Sequence, residues 1–230
     1  MSLPFPPGLV VSCQALEDEP LHGAEIMAKM AKAAEQGGAV AIRANGSHDI
    51  VAIRAAVHLP VIGIVKVHYP DSPVYITPTA REVDAVLNTG AEIVSLDATD
   101  RRRPAGAILE NLVARIHGQG LLAMADISTV GEALRAERMG FDLVSTTLAG
   151  YTAESRHRGM PDFELLAEVV QRLSVPVLAE GQITSGEQLV ACFTRGAYAA
   201  VVGSAITRPQ LITKRFVEAF QQWQTSLNIQ

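Results

Sequence analysis

Eight short apolar runs, each ending in a polar or charged residue, recur along the chain at intervals of one strand plus one helix. The runs occupy residues 8–14, 39–43, 61–66, 92–97, 121–126, 142–147, 176–180 and 199–204. Such runs are typical of parallel strands buried on both faces, and in a closed (β/α)8 barrel the carboxyl ends of all strands meet at one mouth. The pattern therefore predicts one cavity surrounded by the polar residues of the run ends. Those residues are Gln14, Arg43, Lys66, Asp97, Asp126, Thr146 and Glu180.

The length of the chain fits one barrel domain over residues 1–230, because such barrels usually contain about 250 residues and at least about 200. The same alternation of strands and helices also fits a doubly wound open sheet. Two observations favour the barrel: no GxGxxG turn follows the first run, and glycine turns follow the last two runs, where barrels bind phosphate. We therefore expect an α/β protein with a single (β/α)8 TIM barrel.

Segments with helical spacing lie between the runs, and most of them stop at glycine or asparagine. They cover residues 24–36, 79–87, 104–117, 129–139, 161–173, 184–195 and 209–227. The last segment is amphipathic and is expected to close the ring. Two connections, 67–78 and 148–159, are longer than a barrel needs, which predicts lids or substrate-binding loops, with plain surface insertion as the alternative.

The composition excludes several kinds of partner. A net charge of −5 argues against a nucleic-acid or anionic-membrane surface, since both require a basic face. No apolar stretch approaches the roughly 18 residues of a membrane span, and the proline-broken start of the chain does not resemble a signal peptide. Cys13 and Cys192 provide neither a disulfide framework nor a zinc set. We expect a cytoplasmic protein with a small-molecule partner. Whether the chain forms a homodimer stays open.

The turns after the last two runs predict a phosphate site. Gly181 follows the seventh run, while Gly203, Ser204 and Arg208 follow the eighth. Glycine lets backbone N–H groups approach an anion, a following helix end adds partial positive charge, and Arg208 supplies a full charge. The alternative is that the two glycines only form tight turns.

Lys66 and Glu180 are the strongest candidates for proton transfer. Each ends an apolar run, where partial burial disfavours the charged form of lysine and lowers its pKa toward neutrality. The alternative for Lys66 is a strand-end ammonium that reaches water. The alternative for Glu180 is a structural ion pair with Lys66 or Arg43, and a carboxylate in that place also tunes the lysine.

Further carboxylates, Asp97, Asp100 and Asp126, also follow strand runs. Metal ligation by them is disfavoured, because no histidine stands at a matching strand end. We therefore expect hydrogen bonds from these groups to sugar hydroxyls, with no metal and no cofactor.

Taken together, the sequence segments at the strand ends resemble those of the N-acetylmannosamine-6-phosphate 2-epimerase family, the NanE family. The matching stretches are residues 10–14, 39–43, 63–66, 71–78, 97–101, 146–152, 179–181 and 202–209. The resemblance extends from the first strand to the last helix. It implies a (β/α)8 enzyme that interconverts N-acetyl-D-mannosamine 6-phosphate and N-acetyl-D-glucosamine 6-phosphate during sialic acid degradation.

Carried over by position, the resemblance implies that Lys66 is the catalytic acid/base and Glu180 its partner. The residues implied to bind the substrate are Gln14, Arg43, Asp126, Thr147 and Tyr151, and those implied to bind its phosphate are Gly181, Gly203, Ser204 and Arg208. The resemblance assigns no role to residues 154–159.

Epimerisation at C2 removes and replaces a hydrogen next to the C1 aldehyde of the open-chain sugar. The site must therefore supply a base near neutrality and a donor for the enolate oxygen, and no redox cofactor. Whether one residue serves both faces of C2 stays open. Two alternatives use the same barrel: a class I aldolase in which Lys66 forms a Schiff base, and a phosphosugar-binding barrel without catalysis.

Overall fold

The structure, a computed structural model, describes residues 3–155 and 159–227. Its eight strands form a closed, all-parallel barrel in sequence order, with the last strand paired to the first. The strands are β1 (Gly8–Cys13), β2 (Ala41–Asn45), β3 (Val61–Ile64), β4 (Ile93–Asp97), β5 (Leu122–Asp126), β6 (Leu143–Ser145), β7 (Val177–Glu180) and β8 (Ala199–Val202). The predicted (β/α)8 TIM barrel is confirmed, and the open sheet is excluded.

Helices alternate with these strands on the outside of the barrel. They are α1 (Ala24–Gln36), α2 (Ser47–Ala56), α3 (Ala80–Leu87), α4 (Leu109–His117), α5 (Val130–Arg138), α6 (Phe163–Arg172), α7 (Gly186–Thr194), α8 (Ser204–Thr207) and α9 (Pro209–Leu227). None of these helices combines the length and the hydropathy of a membrane span. All seven helical segments predicted from the sequence contain a helix.

Local sequence explains where several helices begin. Thr79 and Thr129 each precede a helix and form a capping box with Glu82 and Glu132, so that side chains satisfy the free backbone N–H groups. The segment predicted from residue 104 instead starts with a 3₁₀ turn, because Ala105 adopts a φ of 52° and interrupts the helix before α4. Caps of this kind fix the direction in which each chain segment leaves the barrel mouth.

Helix α2 has no counterpart among the segments predicted from the sequence. Its only buried residues are Ile50 and Ile53, and Gly46 precedes it without a side-chain cap. A narrow apolar face without a capping residue gives little helical signal. The helix forms because it packs on its neighbours in the ring, an effect of tertiary structure.

The amino-terminal end of the barrel is filled by side chains. Phe5 lies below this interior, where the Tyr198 hydroxyl donates a 2.6 Å hydrogen bond to its carbonyl oxygen. The interior cluster contains Val10, Ala41, Ile62, Ile93, Leu122, Met124, Leu143, Leu178, Ala199 and Val201. Open space is therefore left at the carboxyl ends of the strands, where the polar residues stand.

The last helix does not close the ring as expected. Helix α9 has no buried residue, and the side chains of its apolar face are exposed, with Phe216 at 74% and Trp223 at 56%. An amphipathic repeat shows that a helix has an apolar face, but it does not show which surface covers that face. The prediction failed for this reason.

Candidate active site

A cavity of about 530 Å³ opens at the carboxyl ends of the strands. Its wall contains every residue predicted to catalyse or to bind substrate or phosphate except Asp126, but Asp97 and Thr146, which were also expected around the cavity, are not on it. The predicted residues on the wall are Gln14, Arg43, Lys66, Thr147, Tyr151, Glu180, Gly181, Gly203, Ser204 and Arg208. Residues more than 190 positions apart in the sequence thus surround one space.

The backbone holds Lys66 firmly at the end of β3. Its N–H donates a 2.8 Å hydrogen bond to Asn45 Oδ1, and it forms an antiparallel bridge with Ile76. Next to it, the N–H of Thr77 donates to the carbonyl of Val65 at 2.8 Å. The loop of residues 67–78 therefore folds back against the lysine.

The environment lowers the pKa of Lys66 to about 8. Burial is the main cause, because it disfavours the ammonium, and the nearby charges of Arg43 and Arg208 act in the same direction. Glu180 and Asp126 partly oppose these effects. A lysine with such a pKa holds a substantial fraction of neutral amine near pH 7, which a general base requires.

Arg43 forms a buried ion pair with two carboxylates. Its Nη2 and Nη1 lie 2.5 Å and 3.0 Å from the two carboxylate oxygens of Asp126, and Nη1 also pairs with Glu180. Burial by itself would lower the pKa of Arg43, but the two carboxylates raise it above its usual value. Burial raises the pKa of Glu180 despite the opposing charge of Arg43. The expected ion pair of Glu180 is therefore formed with Arg43.

Asp126 lies behind Arg43 and not on the cavity wall. Its side chain is fully buried, and Ser95 Oγ donates to its Oδ2 at 2.8 Å while Thr147 Oγ1 donates to its Oδ1 at 2.6 Å. With Arg43 also attached, its oxygens are occupied by the protein. Asp126 therefore orients Arg43, and a ligand in the cavity meets Arg43 first.

The other two aspartates lie outside the cavity. Buried Asp97 pairs with Arg101 at 2.6 Å, and its second oxygen accepts from the Thr99 hydroxyl at 2.6 Å. Asp100 is mostly exposed and pairs with Arg135. Over residues 3–155 and 159–227, no cluster of three or more His, Cys, Asp or Glu side chains is arranged to hold a metal ion. Because Asp97 and Asp100 lie outside the cavity, they are not in a position to form the expected contacts with sugar hydroxyls.

The turns after β7 and β8 form the other end of the cavity. Gly181 has a φ of 111°, which favours glycine. A Cβ at Gly203 would lie 3.3 Å from the Cβ of Ser12, so a larger side chain there would crowd β1. Arg208 is paired with Glu19 at 2.9 Å. An anion at this end would compete with Glu19 for the guanidinium.

Several wall residues were missed by sequence reasoning. They are Ser12, Tyr75, Gln182, Lys214 and Arg215. Tyr75 lies in the 67–78 loop, which its length had indicated as substrate-binding, and the loop does reach the cavity. The other long loop, 148–159, contributes Tyr151, while residues 156–158 lie outside the described part of the chain. No sequence pattern predicted Lys214 and Arg215 at the cavity, because they belong to a helix that was expected to pack on the barrel.

Comparisons with known proteins agree with this geometry. Residues 27–222 match the family described as "Putative N-acetylmannosamine-6-phosphate epimerase". A relative from Clostridium perfringens (strain 13 / Type A), described as a 2-epimerase for the same sugar phosphate, is 56% identical over 210 residues, which are 91% of this chain and 95% of the relative. A relative of the same description from Listeria monocytogenes is 50% identical over 221 residues, covering 94% and 93%.

Solved structures give the same result. The N-acetylmannosamine-6-phosphate 2-epimerase from Clostridium perfringens superimposes with a TM-score of 0.91 at 55% identity, and 92% of each chain is covered. Thiamine phosphate pyrophosphorylase from Pyrococcus furiosus shares only the fold, with a TM-score of 0.61 at 20% identity and 87% of each chain covered. On its sequence and its fold, the chain belongs to the N-acetylmannosamine-6-phosphate epimerase family.

Proposed function

We propose that this protein interconverts N-acetyl-D-mannosamine 6-phosphate and N-acetyl-D-glucosamine 6-phosphate by taking a proton from C2 and returning it. The observation that carries the proposal is the pair of Lys66 and Glu180 at one cavity, with pKa values moved toward neutrality from opposite sides. An epimerisation next to a carbonyl requires one group that takes a proton and one that returns it, and a lowered lysine pKa together with a raised glutamate pKa favours these roles. The relatives of this chain carry the name of the same reaction.

The strand positions of Lys66 and Glu180 support action on opposite faces of C2. Lys66 follows β3 and Glu180 ends β7, and three strands lie between these two on either side of the closed ring of eight. Side chains from opposite walls reach a substrate in the middle of the barrel from opposite sides. We infer that each residue serves one face, the proton leaving C2 to one of them and returning from the other.

The rest of the cavity supports binding of an open-chain phosphosugar. Gln14 Oε1 and Arg43 Nε are buried and have no hydrogen-bond partner among the described residues. We expect the substrate to form hydrogen bonds with these two atoms and to lie beside Thr147 and Tyr151. The phosphate would bind the backbone at Gly181, Gly203 and Ser204. Arg208, Lys214 and Arg215 line that end of the cavity, and a phosphate would pair with them in competition with Glu19 at Arg208 and with Glu218 at Lys214.

The test is incubation with N-acetylmannosamine 6-phosphate in deuterated water, followed by proton NMR at C2. We expect deuterium to enter C2 as the epimer forms, because the abstracted proton exchanges with solvent. Lys66→Ala should lower the rate of epimerisation by at least about 10²-fold with the fold retained. Near wild-type turnover of that variant would remove Lys66 from the mechanism.

Exchange measured from each epimer separately tests the assignment of faces. With one residue per face, Lys66→Ala abolishes exchange from one epimer and leaves exchange from the other. Loss of exchange from both epimers would mean that Lys66 serves both faces. Glu180→Gln provides the matched variant, in which the opposite epimer should keep its exchange.

The two alternatives give different results in the same assay. A class I aldolase would produce cleavage products and an adduct on Lys66 that borohydride traps. A binding barrel without catalysis would bind the phosphosugar and show no exchange at C2. Either result would contradict the epimerase proposal.

The place of the reaction follows from its substrate. We propose that the enzyme acts in sialic acid degradation, in the cytoplasm. Phosphorylated sugars are anions that stay within the compartment where they are formed, and Cys13 and Cys192 are buried free thiols, as in a reducing compartment. The fraction of a cell extract that contains the protein and its activity tests this location.

We further propose that the protein is a homodimer in which the partner covers the apolar face of α9. Phe216, Phe220 and Trp223 are exposed on this helix, and a two-fold axis would place the same patch against its copy. Light scattering should give twice the chain mass of 24.5 kDa, and Phe220→Asp should give the single mass. A wild-type monomer at micromolar concentration would contradict the proposal.

A further inference from the structure

The hydroxyl of Thr147 stands between the two carboxylates of the site. Its Oγ1 lies 2.6 Å from Asp126 Oδ1 and 3.0 Å from Glu180 Oε2. It also lies 3.0 Å from Arg43 Nη1 and 2.9 Å from Ser145 Oγ. Four polar neighbours therefore surround one hydroxyl group.

The hydrogen atoms available to this group decide which of these contacts form at one time. A threonine hydroxyl has one proton and two lone pairs. Because Arg43 only donates, it occupies one lone pair, and the single O–H can point at Asp126 or at Glu180 but not at both. When Glu180 is ionised, it can accept this proton. When Glu180 is protonated at Oε2, its O–H can donate to Thr147 instead, and the O–H of Thr147 is then free to point at Asp126.

We propose that Thr147 is a positioning residue whose O–H turns between Glu180 and Asp126 as Glu180 loses and gains its proton. The proposal rests on the proposed function, in which Glu180 exchanges a proton with C2. In both states of Glu180 its Oε2 keeps Thr147 as a hydrogen-bond partner, and Asp126 keeps its bonds to Arg43 and Ser95, so the carboxylate stays in place while its charge changes. No covalent bond to Thr147 forms or breaks.

The neighbouring residue Thr146 provides a matched control. Its Oγ1 accepts from the N–H of Glu180 at 3.0 Å and donates to the carbonyl of Glu180 at 2.9 Å. Thr146 thus holds the backbone of Glu180, whereas Thr147 contacts its carboxylate. Loss of either hydroxyl disturbs the same residue, but only Thr147 acts on its proton.

The experiment compares Thr147→Val, Thr147→Ser and Thr146→Val with the wild type. For the epimer whose C2 proton Glu180 takes, the acidic limb of the pH profile of kcat/KM should shift upward by about one to two pH units in Thr147→Val, because the ionised carboxylate loses a charge-assisted hydrogen bond, which is stronger than the bond that the neutral carboxyl group loses. Thr147→Ser should restore the wild-type limb, and Thr146→Val should lower the rate without moving the limb. The charged and titratable groups that face Glu180 are Arg43, Lys66, Asp126 and Tyr151, and all remain in these variants.

A second measurement needs no substrate. The 13C resonance of the Glu180 carboxyl group, assigned with Glu180→Gln, gives its titration directly, and we expect the same upward shift in Thr147→Val. An unshifted titration in Thr147→Val, or an equal shift in Thr147→Ser, would overturn the proposal. Because this titration is independent of turnover, it decides the role of Thr147 even where the wild type proves inactive as an epimerase.

Discussion

Replacing Asp126 by asparagine tests how strongly the buried ion pair holds the site together. The substitution keeps the shape of the side chain and removes its charge. Asp126 and Arg43 are 0% and 1% exposed, and removing one partner of such a pair usually costs about 3–5 kcal/mol, since the other charge stays buried. Glu180 still contacts Arg43. We therefore expect the lower end of that range, about 3 kcal/mol.

The effect on thermal unfolding follows from the size of the chain. For a protein of 150–250 residues, each kcal/mol corresponds to roughly 2–4 °C in Tm, so Asp126→Asn should melt about 6–12 °C below the wild type. Differential scanning calorimetry at constant pH and protein concentration measures this difference. Constant concentration matters because association with a second copy would also change Tm.

A second Arg–Asp pair on the surface is a matched control. Asp84 pairs with Arg115 through both of its carboxylate oxygens, as Asp126 does with Arg43, but the two side chains are 40% and 50% exposed. Exposed pairs contribute little because water and salt screen them. The Tm of Asp84→Asn should therefore equal that of the wild type. A Tm for Asp126→Asn within 2 °C of the wild type, or an equal loss in both variants, would refute the argument from burial.

Four further outcomes are expected. For the epimer whose C2 proton Lys66 takes, the rate of exchange should rise with pH through about 8 as Lys66 loses its proton. Glu180→Gln should lower the pKa of Lys66, because the charge of Glu180 raises it; the pH dependence of Lys66 acylation measures this, and an upward shift would contradict it. Gly203→Val should raise KM about tenfold by keeping the phosphate from the backbone, unlike Gly186→Val, where a Cβ meets no atom within 4 Å; equal phosphosugar affinity by calorimetry would place the anion elsewhere. Full activity should remain after exhaustive chelation with EDTA, and a loss that zinc or magnesium restores would contradict the metal-free mechanism.

The sequence predicted the barrel because burial on both faces leaves a simple pattern. Each of the eight apolar runs contains or overlaps a strand, and a polar residue at the end of a parallel strand lies at the mouth end of the barrel. For this reason Lys66 and Glu180 could be placed at the cavity before any coordinates were known. The prediction needed only the position of each residue within its own strand.

Side-chain partners across the barrel could not be predicted in the same way. Arg43 meets Asp126 and Glu180, which lie 83 and 137 positions away in the sequence. Such contacts depend on the radius of the barrel and the rotamers of the side chains, and no local pattern records them. Asp126 was therefore expected on the wall, although Arg43 lies between it and the cavity.

The same buried cluster surrounds Lys66 and Glu180, whose pKa values shift in opposite directions. Burial lowers the pKa of the lysine and raises that of the glutamate, since it disfavours the charged form of each. The charge of Arg43 lowers both pKa values and that of Asp126 raises both. Because Arg43 and Asp126 are paired, their effects on the two groups oppose each other, and burial decides the direction of each shift. The ion pair thus contributes a fixed geometry with little net charge, and burial is what moves the pKa values of Lys66 and Glu180 toward each other.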